Sequence, residues 1–342
     1  MKKFLCWVAI GLVIAAIFAG CARRGRMGGD GEPKEEPKEE MKVSDYFPID
    51  DNLYWEYEGV GNEFAGGRVD TEFIEGNKVQ LAQNNGGTVV AKVFEVTDEG
   101  VKLLNSFEES YFRINYLGAE PSSEKYLLKA PLKEKNSWQE EGTTWTIESL
   151  SEKVEVPAGE FTCIKVVGKS GESVVERYFA KGVGLVKQKF IQGDVVVEEN
   201  LAKFGDAEKD DSLPEKVLTI YYPSKDADKL LEDKVTEKFR TGDALIDRIT
   251  SLLKDEKYKV LSQNARLLNF SREEGVLRLN FSKELVTEMN AGSGYEALLL
   301  SSIVKTYGEN LGSSGVILNV EGKGYESGHF VFGKDEVLKV DE

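Results

Sequence analysis

The sequence predicts an α+β chain in two parts: an N-terminal antiparallel β-rich domain, a curved sheet or partial barrel, followed by a C-terminal β-α-β-β-α-β sandwich. Three observations predict it. Residues 45–204 alternate apolar and polar side chains in short runs separated by hairpin-type turns, with no helical period. Residues 216–342 mix such runs with two segments of helical spacing. Between them, residues 205–215 gather Asp206, Glu208, Asp210, Asp211 and Pro214, the composition of a linker at a domain boundary.

At the N-terminus, Lys2 and Lys3 precede an uncharged run from Phe4 to Gly20, and the run closes on Phe18-Ala19-Gly20-Cys21. A positive start, an apolar stretch and small residues before a cut site are what a secretory signal needs. Ala-Gly-Cys resembles the lipobox of bacterial lipoproteins. The resemblance implies a signal peptide over 1–20, cleavage between Gly20 and Cys21, and a diacylglycerol on the Cys21 thiol. A second acyl chain on the new amino group would make that membrane anchor stable where one chain is marginal. The expected localisation is extracytoplasmic, lipid-anchored to the outer face of the cell membrane. Residues 21–44 read as a flexible tether, with Arg23, Arg24 and Arg26 beside the anionic head groups and a charged tandem from Pro33 to Glu40.

In the β-rich domain Leu53, Trp55 and Tyr57 alternate with Tyr54, Glu56 and Glu58. Further strands are expected at 69–74, 79–82, 89–96, 111–116, 144–147, 161–167, 174–179, 185–191 and 195–201. Asn85-Gly86, Glu99-Gly100, Ser170-Gly171 and Gly193-Asp194 are hairpin turns. Val156-Pro157-Ala158-Gly159 with the strand after it, and Tyr178-Phe179-Ala180-Lys181-Gly182-Val183-Gly184, look like a recurring module of β-rich bacterial surface lipoproteins. Pro157 and Gly159 suit a turn, Gly182 and Gly184 a tight turn or bulge.

In the C-terminal part, residues 217–222 form a strand ending at Pro223. Leu245, Ile246, Ile249, Leu252 and Leu253 follow at helical spacing, with Asp243 expected in the favourable first turn. A hairpin is expected at 266–270 and 276–281 around Glu274-Gly275, then a short helix capped by Ser282. Ser293-Gly294-Tyr295-Glu296 has capping-box spacing and opens a helix through Tyr307. Residues 316–320 return as a strand. Leu218-Thr219-Ile220-Tyr221-Tyr222-Pro223, Gly275 to Leu285, Gly292-Ser293-Gly294, Ser301-Ile303-Val304 and Val316 to Gly322 together resemble the GerMN domain of GerM-like sporulation and spore-germination lipoproteins. That family commonly has Asp where Asn280 stands, which implies that position 280 is not catalytic. The family's likeness to ring-building folds of secretion and sporulation complexes implies lateral association through sheet edges and a helical face.

Charge and composition bound the chemistry. The formal net charge is −16, with 44 Lys+Arg against 60 Asp+Glu. So acidic a chain repels nucleic acid phosphates, and no nucleic acid partner is expected. Of three cysteines, Cys6 leaves with the signal and Cys21 takes the lipid, so Cys163 is a lone core thiol. The single histidine, His329, is read as a surface or edge residue. Gly168-Lys169-Ser170 is expected to be a hairpin turn rather than a phosphate loop. Asp226, Asp228, Asp50 and Asp51 are read as solvated loop acids, and Trp55, Trp138 and Trp145 as core packing. No catalytic residue, metal ligand or cofactor is expected, and ligand-binding residues are not assigned.

The expected function is therefore a non-enzymatic envelope lipoprotein, a scaffold or interaction module in sporulation, germination or cell-surface assembly. Its expected partners are the membrane, envelope proteins and other copies of itself. An alternative is a curved N-terminal sheet that binds an apolar or lipid-like ligand through aromatics such as Trp55, Tyr57 and Phe73. A weaker alternative is a cell-wall-active enzyme.

Overall fold

Turns built on Asn85-Gly86, Gly171, Gly182 and Gly193 put glycine at positive φ, where the chain reverses most cheaply, and each joins neighbouring strands. The computed structural model describes residues 41–341, and the chain from Met41 onward forms one compact unit. The signal segment, the Gly20–Cys21 cleavage point, the lipid site at Cys21 and the tether up to residue 40 lie outside the described residues. Val43, in the last part of the expected tether, is buried in the first lobe within a 3₁₀ turn, Val43–Tyr46.

Twelve strands follow: β1 (Leu53–Val60), β2 (Gly67–Glu75), β3 (Lys78–Asn84), β4 (Val89–Thr97), β5 (Gly100–Phe107), β6 (Lys125–Lys129), β7 (Ser137–Glu140), β8 (Thr143–Val156), β9 (Gly159–Ser170), β10 (Ser173–Ala180), β11 (Gly184–Gln192) and β12 (Val195–Asp206). They make a single antiparallel sheet in the order β6-β5-β4-β3-β2-β1-β12-β11-β10-β9-β8-β7. Consecutive strands pair throughout except β6 with β7, and β1 pairs with β12. The sheet curls into a nearly closed barrel, open only between β6 and β7. Side chains span that gap: the Tyr126 N–H donates to Glu140 Oε1 (2.9 Å), and Asn136 Nδ2 donates to the Lys129 carbonyl (2.9 Å). The inward faces of these strands form one large core, into which the Val43–Tyr46 turn inserts.

Three of these strands, β5, β6 and β7, go beyond the sequence expectation, and one expected strand is absent. Residues 111–116 are irregular, because Phe112 and Arg113 are used to grip the second lobe rather than to extend the sheet. Lys216 and Arg272 lie 5.2 and 5.0 Å from the Phe112 ring centre. Gly312 leaves room for that ring, since a Cβ there would come within 2.7 Å of it. Gly168 is also not in a turn. It lies within β9, opposite Trp145, and a Cβ on it would meet the indole at 2.6 Å; the turn itself is Gly171-Glu172.

The second lobe contains β13 (Glu215–Pro223), β14 (Leu230–Lys238), α1 (Leu245–Lys254), β15 (Leu267–Glu273), β16 (Val276–Phe281), α2 (Glu284–Thr287), α3 (Ser293–Asn310), β17 (Gly315–Val320), β18 (Lys323–Gly324) and β19 (Leu338–Lys339). β13 and β14 form a two-stranded sheet. β15 to β19 form a second, five-stranded sheet in which β16 and β17 run parallel, with α2 and α3 in the crossover between them, and β18 and β19 pair antiparallel with β17. α3 is buried along most of its length. β14 was not evident in the sequence because it is dominated by Glu, Asp and Lys, which are poor strand formers. Ala207 is buried in the segment between the lobes, where Asp210 accepts from Tyr54 OH (2.6 Å) and the Ser212 carbonyl accepts from Arg68 (2.7 Å).

Candidate functional site

A barrel of about eight strands is just filled by its own side chains. This larger, incompletely closed sheet leaves a partly open cavity of about 230 Å³ lined by its strands. Toward the Val43–Tyr46 turn the walls are apolar: Phe47, Trp55, Leu81, Phe94 and Leu103, with Phe47 and Phe94 ring centres 5.2 Å apart. Trp55 Nε1 donates to the Val183 carbonyl and Tyr57 OH to the Leu185 carbonyl, both at 2.8 Å. Their polar atoms are thereby satisfied by the backbone, and the rings serve as apolar wall.

Polar and charged side chains break this apolar lining at one place. Glu199, Gln188 and Arg177 stand side by side across β12, β11 and β10. Arg177 Nε donates to Gln188 Oε1 (3.0 Å), and Gln188 Nε2 donates to Glu199 Oε2 (3.3 Å). The guanidinium lies 4.3 Å from the centre of the Trp145 ring. On β4, Lys92 Nζ donates to Gln83 Oε1 (2.7 Å). Among the described residues neither Lys92 nor Arg177 forms a direct ion pair. Burial lowers the Lys92 ammonium below its ordinary pKa and brings Arg177 down to about 10, so the guanidinium stays charged at neutral pH. Burial raises the Glu199 carboxyl, against the opposing pull of Lys92 and Arg177.

A second polar cluster sits at the start of α3. Glu296 is buried there; Tyr325 OH donates to its Oε1 (2.7 Å), and His329 Nδ1 lies 2.7 Å from its Oε2. Burial alone would raise this carboxyl, but the hydrogen bonds of Ser327, His329 and Tyr325 outweigh burial and hold it below the ordinary carboxylate range. The Ser327 hydroxyl oxygen accepts from the His329 and Phe330 N–H groups (3.1 and 3.0 Å), which folds the turn rather than arming a nucleophile. The cluster ties the segment after β18 to α3. Among the described residues no three His, Cys, Asp or Glu side chains converge on a possible metal position.

The chain from β13 to Glu326, two strands and a buried helix beside a mixed sheet, is the part that matches a known family model: Germane, described as sporulation and spore germination, over residues 219–326. Residues 219–326 are a Germane domain. Similar solved structures include one described as a lipoprotein from Clostridium perfringens, with 20% identity, 37% of this chain and 95% of that chain covered, and a TM-score of 0.23. A protein described as a lipoprotein from Parabacteroides distasonis has 14% identity, covers 47% and 98%, and gives 0.30. One described as an exported protein with a YmcC-like fold, from Bacteroides fragilis, has 11% identity, covers 47% and 98%, and gives 0.25. No curated protein matches the sequence significantly.

Within the Germane domain several sequence expectations are redirected. Glu296 does not close a capping box: the N-cap of α3 is Gly292, without a side-chain cap, and the carboxylate turns inward to Tyr325 and His329. His329 is exposed, as expected of a surface residue, and its ring also meets the buried Glu296. The Ser282 hydroxyl accepts from the Arg266 N–H (3.0 Å) and does not cap α2, whose N-cap is Lys283. Asp243 precedes the Ala244 N-cap of α1 and pairs with Arg248 (3.1 Å). Asn280 Oδ1 accepts from the Gly322 N–H (2.8 Å), a task an Asp carboxylate performs equally well.

In the barrel, Trp55 and Tyr57 line the cavity, but Phe73 does not. A register shift between Thr71 and Phe73 turns that ring to the outer face, against Val93, Leu104 and Leu117. Trp138 and Trp145 are buried. Cys163 is buried and free, and burial raises its thiol to about 12. Sequence reasoning missed Lys92, Arg177 and Glu199 altogether. The only available signal was a charged residue at an inward position of an alternating strand.

Proposed function

We propose that this is a non-enzymatic envelope lipoprotein, held outside the cytoplasmic membrane through Cys21, whose Germane domain is an interaction module in sporulation, germination or cell-surface assembly. The match over residues 219–326 carries this reading. α3 is buried along most of its length, and β15 offers an open strand edge for lateral association. β15 pairs only with β16 and leaves Leu268 exposed beside a groove of about 360 Å³. A photo-crosslinking residue in place of Leu268, in the full chain in its native envelope, is expected to yield one discrete adduct with a second copy or an envelope protein. The same residue at Glu274, on the hairpin tip, is expected to yield none. Monomer alone from both positions would overturn the reading.

The barrel cavity favours a second activity alongside the first: retention of a small amphipathic molecule. Native mass spectrometry of the full chain is expected to show a bound species. Bare protein mass throughout, even with added amphiphile, would rule this out.

A further inference from the structure

The barrel interior holds a contradiction that an apolar ligand does not resolve. The chain as a whole is strongly acidic, yet the cavity lining holds two half-buried cations, Lys92 and Arg177, against one carboxylate, Glu199. Burying a charge without a partner is costly, and proteins ordinarily pair or neutralise such groups. Here the hydrogen bonds of both go to neutral glutamines, Gln83 and Gln188, while Arg177 also lies over Trp145 and Glu199 attracts both cations without a direct ion pair. Arg177 uses only Nε, so among the described residues both of its terminal nitrogens are free to donate. Lys92 uses one of three donors. The other carboxylate acting on Arg177, Glu140, accepts from the Tyr126 N–H at the barrel seam.

We propose that the cavity is the seat of a single-chain amphiphile with an anionic head, which lies between Lys92 and Arg177 while the chain lies among Trp55, Leu81, Phe94 and Leu103. The proposal rests on the ligand-binding reading above and names its ligand class. The free fork of Arg177 suits two oxygens of a carboxylate or phosphate, and the site's low polarity strengthens that contact. The size limits the chain. The cavity, about 230 Å³, suits a short single chain, and eight-carbon amphiphiles are the natural probes.

The test is equilibrium dialysis of labelled octanoate, octyl phosphate, octanol and octylammonium against the full chain in nanodiscs, with empty discs as reference. Octanoate or octyl phosphate is expected to bind at least tenfold more tightly than octanol, and octylammonium not at all. Whichever anion binds more tightly identifies the head as carboxylate or phosphate. Lys92→Met and Arg177→Gln are each expected to weaken the anion at least tenfold and leave octanol unchanged. Octanol binding as tightly as both anions would overturn the anionic seat and keep the ligand-binding reading. Failure of all four probes to bind the wild-type chain would overturn both. The wild-type comparison needs no variant to fold, so it decides the matter even if a substitution disrupts the barrel.

Discussion

The Asn310 side chain replaces a missing strand beside Thr219. Its Oδ1 accepts from the Thr219 N–H (3.0 Å), and its Nδ2 donates to the Thr219 carbonyl (2.7 Å). Two residues along β13, Thr306 Oγ1 accepts from the Tyr221 N–H (3.0 Å). In this way α3 satisfies the open edge of β13 with side chains from its own buried face. Replacing Asn310 with Leu leaves a buried donor and a buried acceptor without partners, each costing about 1–3 kcal/mol. Asn310→Leu is therefore expected to destabilise the protein by about 2–6 kcal/mol, measured by urea unfolding. A loss below about 1 kcal/mol would show that the edge finds other partners.

Glu296 gives the Germane domain an acid-sensitive joint. Its folded-state pKa lies below the ordinary value of 4.5, so the native state favours the ionised form. The stabilisation is present above pH 4.5 and is lost as pH falls through the depressed folded value. Glu296→Gln removes that dependence. The variant is expected to melt well below wild type at pH 7, and the gap is expected to narrow as pH falls below 4.5. Thermal scans by circular dichroism from pH 7 to pH 3 read this directly, and parallel curves for the two proteins would contradict it.

Arg113 fastens the lobes together. Its Nη1 lies 3.6 Å from the buried Glu72, while Nε and Nη2 donate to the Asp243 and Arg240 carbonyls (3.2 and 3.1 Å). Burial raises the Glu72 carboxyl and Arg113 opposes the rise, so removing Arg113 strands an uncompensated carboxylate. Breaking such a buried pair costs about 3–5 kcal/mol. Arg113→Met is expected to lose that much at pH 7, and adding Glu72→Gln is expected to recover part of it. A double-mutant cycle measures the coupling, and strictly additive losses would mean that the two residues act independently.

How much was legible follows from what kind of interaction made each element. Strands with clear alternation and a glycine turn, such as β3 with β4 or β11 with β12, could be read directly because both signals are local. β14 could not, because its charged residues are tolerated only in a two-stranded sheet with an exposed face. The 111–116 segment has strand-like composition, but Phe112 and Arg113 spend their side chains on the second lobe. Phe73 shows the same limit at one residue: a single bulge reverses which face it occupies, and no local signal marks the bulge.

By itself the sequence determined the two-part α+β order and the apolar inward faces of most strands. These rest on period, turn chemistry and composition, which act over a few residues. Only the tertiary structure decided that β1 and β12 meet to curl the sheet, and that Lys92 on β4 and Arg177 on β10 face one cavity. It also decided that Glu296 serves the loop holding Tyr325 and His329 rather than its own helix cap. Those outcomes depend on partners far apart in the chain, and hydrogen bonds or buried charges of that range leave no periodic mark on the residues between them.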